Sequence, residues 1–483
     1  MAVDKVSRWT GKRAMAGEYS AELGDARLTE RAKQVGGALT RRPEESFPRV
    51  FPDEAGLEGF YRLVANDAAG WRDLMAPHVQ RTVDRAVEAA DVAVVHDTTD
   101  VTLKMYWSGE MRGQMSRFAS RSQGFFAHTS LAVTAQGPAL PLGTLDVQPF
   151  VHQSGVDAED RETWEFWDHE CGLFSNEQAR WYRAVALTDE TLAARGVRPV
   201  HLMDCESDSF GLLAALAGEG YRFVVRSDGQ RKLKPIGEMS EVGTLNARLG
   251  ARFDLRDAKK KSAHPSRRAR LALLTVRAGV VRLQRAAKAK DASWSPDGPE
   301  SQPKTLDLHL VEAVELHPPA GEKPVRWLLL TREPVDTPQQ AMCVVDLYRR
   351  RWLVEEFFFA LKTGCKLEAR QMQTAAGMLK VLALLLPAAW RLLLMRSLAA
   401  EHPDAAWAAV LTPLEFTLLR RAVPKAKLDK RNATVEKCLY AIAKLGGHLP
   451  RNGPPGWRTL NHGWDELQKY VAGARMGRDA IND

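Results

Sequence analysis

The chain reads as an α/β protein, a mixed sheet flanked in sequence by helical segments. Three observations carry that reading. Short Val-rich runs alternate with helical patterns between residues 92 and 225. Further strand patterns, set among basic loops, fill residues 227–326. After residue 376 no strand pattern occurs. With 483 residues, 45% of them hydrophobic, the chain can bury a core in more than one domain, which excludes a mostly disordered polymer.

The elements follow in order. Residues 1–75 read as a small helical unit. The LGDAR entry predicts a helix over Leu28–Leu39, with Gly36-Gly37 weakening its end. A second helical pattern covers Glu54–Ala65, after the Pro- and charge-rich stretch RRPEESFPRVFPD. Arg27, Arg31, Lys33, Arg41 and Arg42 suit a DNA surface, and a plain helical cap fits the segment equally well. Val92–Val95 is a strand that runs into His96-Asp97-Thr98-Thr99. Phe125–Val133 and Leu140–Val147 are neighbouring antiparallel strands joined at Gln136-Gly137-Pro138. Helix over Trp181–Ala194, strand over Val200–Met203, helix from Ser209 and strand over Tyr221–Val225 complete a mixed sheet.

Residues 227–326 read as a β-rich basic insertion. Leu271–Thr275, Val280–Leu283 and Leu306–Val311 are its strand candidates, and Ala286–Lys304 a flexible loop. Trp327–Leu330 returns to a core strand. Thr337, Pro338 and Gln340 form a capping box that opens a long helix running past Lys362 to Gly364. Residues 376–483 form a helical domain, with helix starts at Thr412-Pro413-Leu414-Glu415 and Thr434. The division is therefore 1–75, 76–375 and 376–483. The most apolar stretch, Val381–Trp390, is too short to span a bilayer and reads as a buried core helix, so no membrane is expected.

Charge is unevenly placed. The net +8 permits a polyanionic partner without requiring one. Residues 76–226 carry 13 basic and 21 acidic groups, whereas residues 251–290 carry 13 basic and 2 acidic. A cation site beside a polyanion surface fits that asymmetry, and solvated loops fit it as well. The five cysteines form no CxxC pair, and the first residues show no apolar signal core, so a reducing cytoplasm is expected.

Two acids share a context. Asp97 and Asp204 each follow an apolar run, at the strand ends where α/β sheets place ligand groups. Glu355 lies on the long helix. Three such carboxylates can hold two divalent cations, and hard oxygen donors suit magnesium or manganese. Two ions about 3.5–4 Å apart activate an attacking oxygen and stabilise the leaving one. On the helix YRRRWLVEEFFFALKTG, Tyr348, Arg351, Glu355 and Lys362 stand at offsets 0, 3, 7 and 14. At about 100° per residue they fall within an arc of about 60°. An exposed salt-bridged face is the bland explanation. As chemistry, Glu355 completes the metal site while Arg351, Lys362 and Tyr348 grip phosphate.

The Tyr-x2-Arg-x3-Glu-x6-Lys spacing resembles the YREK signature of the IS-four family of DDE transposases. The resemblance covers nearly the whole chain. It runs through LGDARLTERA, GFYRLV, HDTTD, MDCESD, YRFVVRS, VRWLLLTREPV, ALKTG, ARQM, LTPLEFTLL, YAIAKLGGHL and GWDELQ. It implies a ribonuclease H-like catalytic domain interrupted by the β-rich insertion, an N-terminal domain recognising DNA ends and a C-terminal helical dimerisation domain. It implies Asp97, Asp204 and Glu355 as a triad holding two Mg2+ ions, for which Mn2+ can substitute. The partners implied are transposon-end DNA, target DNA and a second copy of the chain in a synaptic homodimer. Trp327 aligns with a tryptophan that stacks on a flipped base, and Arg226 with a DNA-contacting arginine. Phe358-Phe359 replace a His-Lys pair, and Cys205 replaces an arginine. A transposase-derived DNA-binding protein that has lost catalysis, and a stand-alone nuclease of the same fold, are the alternative functions.

Overall fold

The computed structural model describes residues 9, 12–104, 116–119, 122–151, 167, 177–228, 233–249, 270–285, 294–296, 298, 301–449, 451, 453 and 455–482. The chain divides into two compact units, residues 1–90, 98–175 and 353–483 in one and residues 91–97 and 176–352 in the other.

The first unit opens with helices α1 (Lys12–Gly17), α2 (Ala26–Arg41), the single turn α3 (Phe47–Val50), α4 (Glu54–Ala65) and α5 (Trp71–Ala89). Asp25 starts α2 by accepting from the Arg27 and Leu28 amides, and Asp53 starts α4 by accepting from Gly56. Helix α2 runs through Gly36-Gly37 to Arg41, two residues past the expected Leu39. Gly36 is buried because the Tyr19 ring lies where a Cβ would stand, so contact outweighs the poor helix propensity of glycine. The strands of this unit are β2 (Ser116–Ala119), β3 (Ser122–Thr134) and β4 (Pro141–Phe150), with β3 antiparallel to both others.

Helix α10 (Ala375–Glu401) is the core of this unit. It is far longer than the ten-residue apolar run: 27 residues, long and apolar enough by composition to cross a membrane, yet its most apolar window is wholly buried within the protein. Two of its buried polar side chains bond to backbone carbonyls of neighbouring elements. Lys380 donates to the carbonyls of Val64 and Asn66, and the Trp390 indole donates to the Pro141 carbonyl. Arg85 lies over the Trp390 ring at 3.9 Å. Helices α11 (Pro413–Ala422), α12 (Val435–Leu445) and α13 (Trp457–Asn482) follow, and both predicted starts are present, a capping box at Thr412 with Glu415 and a cap at Thr434. The apolar sides of α11 and α12 are turned inward, with Phe416, Leu419 and Ile442 buried. Helices α12 and α13 pass so closely that a Cβ on Gly463 would fall 1.7 Å from the Ile442 carbonyl oxygen.

Among the described residues the second unit holds seven strands of a mixed sheet. Strand β1 (Val92–Lys104) begins here and continues into the first unit. From it the order is β1, β5 (Val200–Met203), β6 (Phe223–Arg226), β10 (Arg326–Thr331), β9 (Thr305–Glu315), β8 (Arg270–Gln284) and β7 (Lys234–Leu249). The β1–β5 and β5–β6 pairs are parallel and the rest antiparallel. Helices α6 (Glu177–Ala193) and α7 (Phe210–Gly218) bury Trp181, Leu212 and Leu216 with Phe223, Leu310 and Leu330 of the strands.

The β-rich stretch extends the same sheet, with β9 paired directly to β10. One expectation changes here. Leu271–Thr275 and Val280–Leu283 are one strand, β8, which stays paired with β9 from Leu274 to Gln284. Residues 286–293 of the expected loop, residues 250–269 of the basic stretch and Cys171 lie outside the described residues.

Candidate active site

The register of β1 against β5 positions two carboxylates. Val95 is aligned with Leu202, so Asp97 and Asp204 stand two residues further along adjacent parallel strands, on the face those residues share. Neighbouring strands are about 4.8 Å apart, within reach of a shared cation. Asp97 is not at a strand end as expected, because β1 continues to Lys104. The strand that stops is β5, at Met203. The Asp204 carboxylate then accepts from the Glu206 amide and caps the 3₁₀ turn Cys205–Ser207.

Around these acids the second unit gathers cations and rings. Arg351 Nη1 donates to Asp97 Oδ2 at 2.8 Å, in a pair whose side chains are 10% and 9% exposed. Arg226 donates to the Cys205 sulfur at 3.1 Å. Burial works against the Arg226 charge, but Tyr348 and Cys205 outweigh it and raise its pKa. Trp327, on β10, meets Tyr348 edge-on with ring centroids 5.8 Å apart. Burial raises the Tyr348 phenol pKa, and the Asp204 carboxylate adds to that while Arg351 and Arg226 oppose it. Asp97, Asp204, Arg226, Tyr348 and Arg351 therefore form one electrostatic neighbourhood, with Trp327 against its tyrosine.

Sequence reasoning passed over the support beneath the sheet. His96, facing away from Asp97, meets His201 at 2.9 Å, and the second His201 nitrogen faces Asp189 at 3.4 Å. Both rings are wholly buried, and burial lowers the His201 pKa. With His201 Nε2–H directed at Asp189, its Nδ1 accepts from His96, a contact that ties β1 to β5. The available signal was a histidine inside each apolar run, AVVHD and VHLMD.

The expected single helix after Thr337 is interrupted. Helix α8 (Pro338–Arg350) carries the capping box, Arg351 stands at a break where its amide turns back to Tyr348, and α9 (Trp352–Phe359) follows. A π-helical turn over Ala360–Gly364 then shifts the phase again. The narrow stripe expected of Tyr348, Arg351, Glu355 and Lys362 assumed uniform winding, and the π-helical turn departs from it between Glu355 and Lys362. Within the first unit Glu355 is half-buried on α9. Lys362 pairs with Asp100 at 3.0 Å and with Glu368 at 3.6 Å. Burial alone would raise the Asp100 pKa, but Lys362 and Thr102 lower it. Phe358 is buried and Phe359 half-buried, so this pair contributes to packing.

Of the N-terminal candidates, Arg27 is exposed on the first turn of α2. Arg31 is half-buried, its guanidinium filling the space above Gly59 of α4, which makes it a strut between these helices.

Asp97 and Asp204 have the donor chemistry for magnesium or manganese: hard oxygens from adjacent strands. They are two donors, and among the described residues no three His, Cys, Asp or Glu side chains are grouped to hold a metal ion. The pair therefore fits as part of a ligand set, with Arg351 now engaging Asp97.

Fold and site together define a mixed α/β protein with an acidic site on a large sheet and with helical N- and C-terminal regions. Residues 17–69, covering α2 to α4, match the family model described as transposase DNA-binding. That match supports a transposase, a DNA-processing protein whose partner is DNA.

Proposed function

We propose that the chain is a DDE transposase of the IS-four type that moves DNA by cut-and-paste transposition. The observation that carries this reading is the β1–β5 register, which sets Asp97 and Asp204 side by side in a chain with a transposase DNA-binding segment. Asp97, Asp204 and Glu355 are the carboxylates assigned to the metal. Two magnesium ions, with manganese as substitute, would activate the attacking oxygen and stabilise the leaving one at phosphorus. Around them Tyr348, Arg351 and Lys362 hold backbone phosphates through charged and phenolic donors. Arg226 adds a further contact to DNA, and Trp327 offers an indole face to an unstacked base, worth about 1–3 kcal/mol. One such site serves end nicking, hairpin formation, hairpin opening and strand transfer, since each is an in-line displacement at phosphorus.

Residues 17–69, with Arg27 exposed and Arg31 bracing its helices, recognise transposon ends. Two ends must be joined, so a synaptic homodimer is the working form. The test is cleavage of end-bearing DNA by Asp97→Ala, Asp204→Ala and Glu355→Ala. Each should lose metal-dependent cleavage and keep DNA binding. Cleavage retained by any of the three overturns the triad assignment. Equal cleavage of DNA lacking ends would identify a nuclease instead, and binding without cleavage by the unsubstituted chain a DNA-binding derivative.

A further inference from the structure

The end of α11 and the loop behind it carry a charge feature that the site above does not use. Between Arg420 and Arg431 stand six cations, Arg420, Arg421, Lys425, Lys427, Lys430 and Arg431, against one acid, Asp429. All six are exposed. Elsewhere exposed arginines are commonly paired, as Arg62 is with Glu58 and Arg282 with Asp307. Among the described residues no side-chain ion pair joins any of these six. The lone acid does not neutralise them, because the Asp429 carboxylate is turned to its own loop and accepts from the Arg431 amide at 3.1 Å.

The loop is built rather than loose. Val423, Leu428 and Ala433 are buried at intervals of five residues and pin it to the protein, leaving the charged positions outside. The Trp407 indole donates to the Lys430 carbonyl at 3.0 Å and stacks on Phe416 of α11 with centroids 4.1 Å apart. Ala433 N–H donates to the Asp429 carbonyl at 2.7 Å. Lys427 is held at φ +48°, a left-handed conformation that side-chain-bearing residues seldom adopt. Its amide donates to Pro424 while its charged end stays exposed. A fixed backbone presenting unpaired cations loses little backbone entropy on binding an anion.

We infer that residues 420–431 form a second DNA surface, which grips the phosphate backbone of duplex DNA without reading its sequence. The partner follows from what the loop lacks as well as what it carries. Its bulky apolar side chains point inward, so nothing is available to insert into a lipid surface. Residues 420–433 contain no aromatic side chain on which unpaired bases stack, which argues against a single-strand reader. Six cations with no ring beside them suit a regular ladder of phosphates. The surface lies outside the segment matched at residues 17–69. It does not depend on the cleavage chemistry, so it stands or falls separately from the triad.

The test uses the full chain and a random-sequence duplex, with affinity read by fluorescence anisotropy across a salt series. Each phosphate contact contributes about −0.9 to the slope of log K against log salt. Lys427→Gln/Lys430→Gln/Arg431→Gln should make the slope shallower by about 3, and Arg420→Gln/Arg421→Gln by about 2. The charge-preserving set Lys427→Arg/Lys430→Arg/Arg431→Lys should keep it. Exposure of all the substituted side chains predicts unchanged circular dichroism and melting. An unchanged slope in both folded neutral variants overturns the proposal. So does a loss confined to binding of phosphatidylserine vesicles with duplex binding intact.

Discussion

Replacing Arg351 with Met strips the guanidinium from a carboxylate that has little access to water. The pair is 2.8 Å long, with the Asp97 side chain 9% exposed and the Arg351 side chain 10% exposed. At an effective dielectric near 20, two unit charges at the separation given above attract by about 6 kcal/mol, part of which repays their desolvation. Removing one partner of such a pair leaves an uncompensated charge and costs about 3–5 kcal/mol. Arg351→Met should therefore destabilise the β1–β5 region by about that amount, and Asp97→Asn by a similar one. The double variant should recover much of the loss, giving a coupling energy of about 2–4 kcal/mol. Hydrogen exchange of peptides containing Val94 and Leu202, which lie in the paired strands, reports the local opening energy directly. A coupling energy below about 0.5 kcal/mol, the range of a solvent-screened surface pair, would refute the reasoning.

Acid should act through the buried trio of Glu18, His78 and Arg85. His78 Nε2 accepts from the Thr144 amide at 3.1 Å, so Nδ1 carries the proton that meets Glu18 at 2.5 Å, and the ring is neutral. Burial lowers its pKa below 6.5. The unfolded chain takes up that proton first, so the His78 contribution is present above pH 6.5 and is lost as pH falls from 6.5 toward the folded value. Glu18 is also lowered, because Arg85 and His78 outweigh its burial, and its contribution is lost as pH falls below 4.5. Melting temperature against pH should thus start to fall near 6.5 and steepen below 4.5, and Glu18→Gln should be less stable at neutral pH but shallower in the lower limb. A flat profile down to pH 4.5 would sink the assignment of a neutral, buried His78. Separately, Gly463→Ala should force α12 and α13 apart, since its Cβ would fall 1.7 Å from a backbone oxygen. A cost of about 1–3 kcal/mol or more is expected by denaturant unfolding, and an unchanged midpoint would contradict the close crossing.

Local chemistry was legible in the sequence. Thr337, Thr412 and Thr434 each cap the helix their spacing announced, and Val200–Met203 is a strand to the residue. These outcomes depend on hydrogen bonds within four residues or on a single apolar run, and both are written along the chain. The two acids were legible as well, because an aspartate ending an apolar run is a local pattern. The length of β1 and the union of two candidate runs into β8 were not legible. Pairing distant in sequence sets such lengths, as β9 does for β8.

Sequence alone determined which residues carry charge, which turns start helices and which acids follow apolar runs. Tertiary structure decided which of these meet. The β1–β5 register brings Asp97 beside Asp204, and the fold sets the Arg351 guanidinium on Asp97. The same level of structure gave Arg31 to Gly59 and Lys362 to Asp100. The reason is physical. A cap is decided by neighbours a few bonds away, whereas a register or an ion pair across 254 residues is selected by the packing of the whole fold around it.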